Sequence, residues 1–165
     1  MNYIAPRIHS KMKGSSPNEE ATMTIRSYSP DDIEPVMVAW RSANALAHPF
    51  LSDTYVARSE LEVRDLYIPN AETYVFEDGG KVVGFISLVG NEIGGLFLDP
   101  SRHGKGIGKA LVDHAFAIKG PLKVEVFRDN RVGLPFYERN GFVLVAQELH
   151  QPTGQIVLKL AMPNC

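Results

Sequence analysis

A mixed α/β domain, one sheet with helices on both faces, is the fold class this sequence predicts, and three observations lead to it. The 165 residues suit a single compact domain with one core. Runs with strand character lie next to one another and are joined by hairpin signals, which a strict βαβα alternation would not show. Between these runs stand stretches with helical apolar spacing, each bounded by a recognisable start or stop.

Residues 1–22 read as a tail, because 11–20 are polar, rich in turn formers and without period. The domain is expected to span 23–163. A short strand covers 23–26. Ser29-Pro30-Asp31-Asp32 then reads as a helix start, with Ser29 as N-cap and Pro30 at the first helical position, and Ile33, Val36, Met37 and Trp40 share one face. After a loop at 47–51, Leu61, Leu66 and Tyr67 outline the apolar face of a second helix that Pro69 stops.

Residues 73–77 and 81–89 are strands joined by Asp78-Gly79-Gly80, a hairpin signal. A third strand follows at 92–98, and the paired Gly94-Gly95 inside it marks a bulge or a close approach. Residues 106–117 are helical and 122–127 form a strand. The next helix starts near Leu134 and ends at Asn140-Gly141, where glycine supplies a left-handed cap. Strands near 142–149 and 155–161 close the chain, and their exposure would allow pairing in a homodimer.

Charge excludes some partners. Nineteen acidic against seventeen basic residues leave no strong field for nucleic acid or an anionic membrane. Cys165 is the only cysteine, so no internal disulfide or cysteine-based zinc site is expected, and no metal. No run is apolar for long enough to span a bilayer, and the N-terminus lacks the apolar core of a secretory signal; the expected location is cytoplasmic.

The chemistry concentrates between the strand ending at Leu98 and the helix near Ile107, in His103-Gly104-Lys105-Gly106-Ile107-Gly108-Lys109. Glycine permits backbone angles closed to other residues, and the first amides of a helix point outward unpaired beside a partial positive charge. Such a turn suits a phosphate, with Arg102, Lys105 and Lys109 nearby; a tight connection without ligand is the plainer reading. Two rival patterns fail on spacing. A P-loop needs four residues between its first Gly and the Gly-Lys pair, but only three separate Gly104 from Gly108-Lys109, and Ala110 follows. A dinucleotide fingerprint would need glycine at Lys109 or Leu111.

The segment resembles the cofactor motif of the GNAT family of N-acetyltransferases, Arg/Gln-x-x-Gly-x-Gly/Ala, with His103 in the first position and Gly106 and Gly108 in the last two. Downstream, Asn130-Arg131-Val132-Gly133-Leu134-Pro135-Phe136-Tyr137-Glu138-Arg139-Asn140-Gly141-Phe142 resembles the second signature of the same family, N-x-x-A-x-x-F-Y-x-x-x-G-F, with Gly133 in place of alanine. An Asn-capped helix with a glycine stop explains each residue singly, but not both motifs in order with a strand between them.

The resemblance implies the acyl-CoA N-acyltransferase fold, a central, mostly antiparallel sheet with helices on both faces. It implies acetyl-CoA as donor, with coenzyme A as product. By the same resemblance, the backbone of Leu96, Phe97 and Leu98 pairs with the pantetheine arm, and residues 103–109 take the pyrophosphate. Asn130 contacts the cofactor, caps the helix, or does both, and Tyr137 donates a proton to the departing thiolate. Two residues compete as base: Glu92, eleven positions before His103 as in the histone-modifying branch, and His48, a loop imidazole. Trp40, His48, Phe50 and Tyr55 are expected to line the acceptor pocket, although aromatics at helical spacing also build cores. The lone terminal thiol favours direct transfer in a ternary complex to a small-molecule or peptide amine. The alternatives are a catalytically weak acetyl-CoA sensor and a nucleotide-binding module of another class.

Overall fold

The computed structural model describes residues 8–10 and 21–164. The chain runs β1 (Ile8–Ser10), β2 (Ala21–Ser27), α1 (Ile33–Ala47), α2 (Asp53–Glu62), α3 (Ile68–Asn70), β3 (Glu72–Asp78), β4 (Lys81–Val89), β5 (Glu92–Leu98), α4 (Ile107–Lys119), β6 (Lys123–Phe127), α5 (Gly133–Arg139), β7 (Val143–His150) and β8 (Gln155–Ala161). The strands form one sheet in the order β1-β2-β3-β4-β5-β6-β8-β7. Every pairing is antiparallel except β5 against β6.

Two apolar layers explain why β4 is buried from Val82 to Leu88 rather than alternating with polar residues. On one face α1 sets Val36, Met37 and Trp40 against Val75 and Phe85. On the other, α4 sets Ile107, Leu111, Val112 and Ala115 against Phe76, Ile86, Leu98 and Val124. The expected fold class is the one observed. The hairpin is observed too: Asp78 pairs with Lys81, and Gly79 and Gly80 both have positive φ, 61° and 81°, as a two-residue type I′ turn requires.

Two sequence expectations change. The expected tail, 1–22, contains β1, which pairs Ile8 with Met23, and the first residues of β2; residues 1–7 and 11–20 lie outside the described residues, as does Cys165. In the second helix, Leu61, Leu66 and Tyr67 are exposed, while Val56, Val63 and Ile68 pack against the α1 core. A π turn at Val63–Tyr67 accounts for Leu66 and Tyr67, because its i to i+5 spacing carries the apolar face from Val63 to Ile68; Leu61 precedes the turn and already lies off the face shared by Val56 and Val63. The helical run that begins at Asp53 ends at Asn70, one residue past Pro69, close to the expected stop.

The feature that positions the site is a gap in the sheet. β5 and β6 pair only at Glu92 with Lys123 and Ile93 with Val124. Pairing of β5 with β4 jumps from Ile93 to Gly95, so Gly94 bulges out as the glycine pair predicts. Beyond this point the two parallel strands part and leave a notch. Gly84, opposite Leu98 on β4, lets the end of β5 pack closely, because a Cβ there would stand 2.8 Å from Leu98 Cδ1 and 3.0 Å from the Phe97 carbonyl oxygen. Gly84→Ala is expected to destabilise the fold by about 1–3 kcal/mol, read from the urea unfolding midpoint.

Candidate active site

A cavity of about 680 Å³ occupies the notch and continues to the head of α4. Its β5 wall presents main-chain groups. The Asp99 N–H donates to the Val83 carbonyl at 2.8 Å, so the alternation of an antiparallel pair turns residues 97 and 99 toward β4, and the amides of Leu96 and Leu98 toward the notch. His103 lines the cavity, and its Nε2 donates to the Leu98 carbonyl at 3.2 Å. A carbonyl only accepts, so Nε2 carries the proton. The ring thus fixes the end of β5 and leaves the Leu98 N–H facing the notch.

At the head of α4, Gly104 and Gly106 have φ of 77° and 78°, and a Cβ at either would meet nothing within 4 Å. Their conformation, not lack of room, requires glycine. This leaves the first amides of a thirteen-residue helix open toward the cavity. Gly108 serves a different need: a Cβ there would stand 3.0 Å from the Phe136 ring, so glycine lets α4 and α5 close up. The Lys109 ammonium is held by Asp113 at 2.6 Å, Lys105 does not line the cavity, and Arg139 does.

The second motif folds as one unit. The Phe142 N–H donates to the Tyr137 carbonyl at 3.1 Å and the Gly141 N–H to the Glu138 carbonyl at 3.2 Å, with Gly141 at φ 88°. These are the paired bonds of a Schellman cap, and the Tyr137 and Phe142 rings, 5.2 Å apart, form its apolar contact. Packing of Phe136 and Phe142 on Tyr137 buries the phenol in the cavity wall, and burial raises its pKa above the ordinary tyrosine value. It stays a neutral O–H donor at all physiological pH.

Known proteins share this arrangement. The acetyltransferase (GNAT) domain profile matches residues 69–144. The chain is similar to the peptidyl-lysine N-acetyltransferase YiaC of Escherichia coli (strain K12), with 31% identity over 122 residues that make up 73% of this chain and 84% of that one. The chain belongs to the GNAT acetyltransferase family. This acyltransferase is also 36% identical, over 121 residues, to the peptidyl-lysine N-acetyltransferase YjaB of Salmonella typhimurium, covering 73% of this chain and 83% of that one. Its fold superposes on the apo-form YjaB of Escherichia coli with a TM-score of 0.78 at 28% identity, over 87% of this chain and 99% of that one. The PaiA N-acetyltransferase of Thermoplasma acidophilum, solved with coenzyme A, shares the fold with a TM-score of 0.71 at 22% identity, over 83% of this chain and 97% of that one.

On the α1 side of the notch of this acetyltransferase, His48 ends α1 and lines the cavity. Its Nδ1 stands 2.7 Å from Asn44 Oδ1 and its Nε2 3.3 Å from Asn130 Nδ2, and burial pushes its pKa down to about 4. His114, inside α4, is lowered as well, by burial opposed by Glu72. Both rings resist protonation in the fold but take protons near pH 6.5 when unfolded, so stability falls as pH drops from about 6.5 toward 4. His48 alone should contribute roughly 2–3 kcal/mol to that loss. Urea titrations across this window should show a shallower pH slope for His48→Gln than for the unchanged protein.

Other expected site residues are redistributed. Trp40 is only 3% exposed and packs in the α1 core with its ring 6.2 Å from Phe97, so it supports the cavity from behind. Phe50 and Tyr55 also stand outside the lining. Phe50 packs edge-on to Phe127 at 5.7 Å, and Tyr55 to His150 at 6.1 Å, bracing a Phe127 ring that does line the cavity. Phe50 thus ties the α1–α2 loop to the end of β6, and Tyr55 ties α2 to the end of β7.

Glu92 lies where β5 is still paired with both neighbours, opposite Val89 and Lys123, and does not line the cavity. Among the described residues the only carboxylate in the lining is Glu125. Val124 and Val126 enter the core on the α4 side, so strand alternation turns Glu125 and Phe127 to the α1 face. Lys159 stands 3.6 Å from Glu125 and 3.4 Å from Glu148. The sequence signal for Glu125 was a single charge in the run Val124-Glu125-Val126-Phe127, which gains meaning only once β6 is known to line the notch.

Proposed function

We propose that this enzyme transfers an acetyl group from acetyl-CoA directly to a primary amine, with the lysine side chain of a protein or peptide as acceptor. The observation that carries the reading is that a neutral acid and a carboxylate reach one notch from opposite faces of the sheet. Tyr137 belongs to the core layer of α4 and α5, and Glu125 lies on the α1 face.

The residues fit acetyl-CoA. The outward amides of Leu96 and Leu98 suit the amide-bearing pantetheine arm, while the open amides at 104–108 suit its pyrophosphate. Bound there, acetyl-CoA supplies the activated thioester. The Leu98 N–H polarises the acetyl carbonyl and stabilises the developing oxyanion. Glu125 draws the ammonium of the acceptor and takes its proton, and Tyr137 protonates the departing sulfur. Among the described residues no cysteine lines the cavity, which favours attack by the amine itself over a covalent acetyl-enzyme.

The acceptor class draws support from relatives named as peptidyl-lysine N-acetyltransferases and from the negative charge that Glu125 offers an ammonium. Incubation with acetyl-CoA and lysine-bearing peptides should yield acetyl-lysine by mass spectrometry, with intersecting double-reciprocal lines. Parallel lines would contradict direct transfer. Binding of coenzyme A without acetylation of any amine would favour the sensor.

A further inference from the structure

One chain of hydrogen bonds crosses the notch from the acceptor side to the donor side, and each atom in it has one possible role. Asn130 Oδ1 accepts from the backbone amides of Val132 at 3.1 Å and Gly133 at 2.7 Å. Two donors aimed at one atom identify it as oxygen, so the other end of the amide is NH2. That Nδ2, 3.3 Å from His48 Nε2, donates, and the ring nitrogen accepts. The imidazole proton therefore sits on Nδ1 and is donated to Asn44 Oδ1, 2.7 Å away. A proton added to Nε2 would break the chain at its middle link.

Gly133 belongs to the same arrangement. A Cβ at this position would stand 2.5 Å from Asn130 Nδ2 and 3.1 Å from its Cγ. The amide could escape that clash only by leaving His48, because its oxygen is pinned by two backbone donors. Glycine at 133, the one departure from the second family signature, thus coincides with the contact between Asn130 and a histidine 82 positions before that asparagine.

We propose that His48 is a positioning residue, whose neutral ring holds the Asn130 amide at the head of α5, and that Gly133 is the small residue that clears space for this contact. Asn130 carries the effect into α5: its carbonyl accepts from the Leu134 N–H at 3.2 Å, one turn before Tyr137. The end of α1 and the helix bearing the acid are joined across the notch. His48 is then unavailable as base, since the lone pair a base would use already accepts from Asn130. The kinetic part of the proposal rests on the acetyl-transfer reading; the part concerning the ring proton does not.

Nitrogen-15 NMR of His48 in the free protein at neutral pH tests the second part without substrate. The expected tautomer carries the proton on Nδ1, and Gly133→Ala should move the Nε2 resonance; a proton on Nε2 overturns the proposal. In acetyl-transfer assays, His48→Gln, which keeps an acceptor and a donor, should lose no more than about threefold in kcat/KM, while His48→Leu and Gly133→Ala each lose about tenfold. The double variant His48→Leu with Gly133→Ala should also lose about tenfold, because both changes break one contact. A loss of about a hundredfold in His48→Gln, equal to that in His48→Leu, would instead make His48 a proton acceptor. Losses that multiply in the double variant would equally overturn the link. If the unchanged protein acetylates nothing, the acetyl-transfer reading fails and the tautomer alone decides this proposal.

Discussion

Tyr137→Phe is expected to lower kcat by about a hundredfold or more while leaving coenzyme A affinity within about twofold. The substitution removes one oxygen and keeps the ring, so the packing against Phe136 and Phe142 survives, as does the Schellman cap that depends on backbone bonds. What is lost is the proposed proton source, whose phenol stays protonated because burial opposes the phenolate. A thiolate leaving without a proton is a poorer leaving group, so the penalty falls on turnover rather than binding. Isothermal titration with coenzyme A and steady-state kinetics on the same preparation separate the two. Equal turnover in both proteins would remove Tyr137 from the mechanism and assign its hydroxyl to the core.

Much of the half of the site proposed for the donor is legible in the sequence because it is local. Gly104 and Gly106 announce a turn that needs positive φ, and residues 136–142 contain all the atoms of a Schellman cap and its apolar contact. A motif closed within ten residues can be read without knowing the fold. The half proposed for the acceptor is assembled by pairing between distant elements. Glu125 enters the site because β6 runs parallel to β5 for two pairs and then parts from it, a fact of topology that no local pattern encodes. Trp40 shows the same limit from the other side: its helical spacing is correct, yet that spacing does not distinguish a core face from a pocket face. The apolar face expected on the second helix fails for a different reason, the π turn at Val63–Tyr67 having shifted the phase on which the reading depends.

Glu125→Gln should lower kcat/KM for a lysine-bearing peptide by about a hundredfold near neutral pH, and the deficit should shrink as pH rises. A lysine amine has a pKa near 10.4, so at neutral pH only about one molecule in a thousand is free to attack. The proposed carboxylate offsets this by receiving the ammonium form and removing its proton in the notch. Without it the enzyme must wait for free amine, whose fraction grows about tenfold per pH unit until the amine titrates. The log rate of the variant should therefore climb with unit slope up to about pH 10, while that of the unchanged enzyme levels off earlier. Stability offers no competing explanation, since Lys159 retains Glu148 at 3.4 Å and a half-exposed ion pair of this kind contributes only about 0–1 kcal/mol. Glu92→Gln, at the closed end of β5, is the matched control and should leave the profile unchanged. The opposite pattern, with the deficit in Glu92→Gln and none in Glu125→Gln, would return the base to the start of the strand.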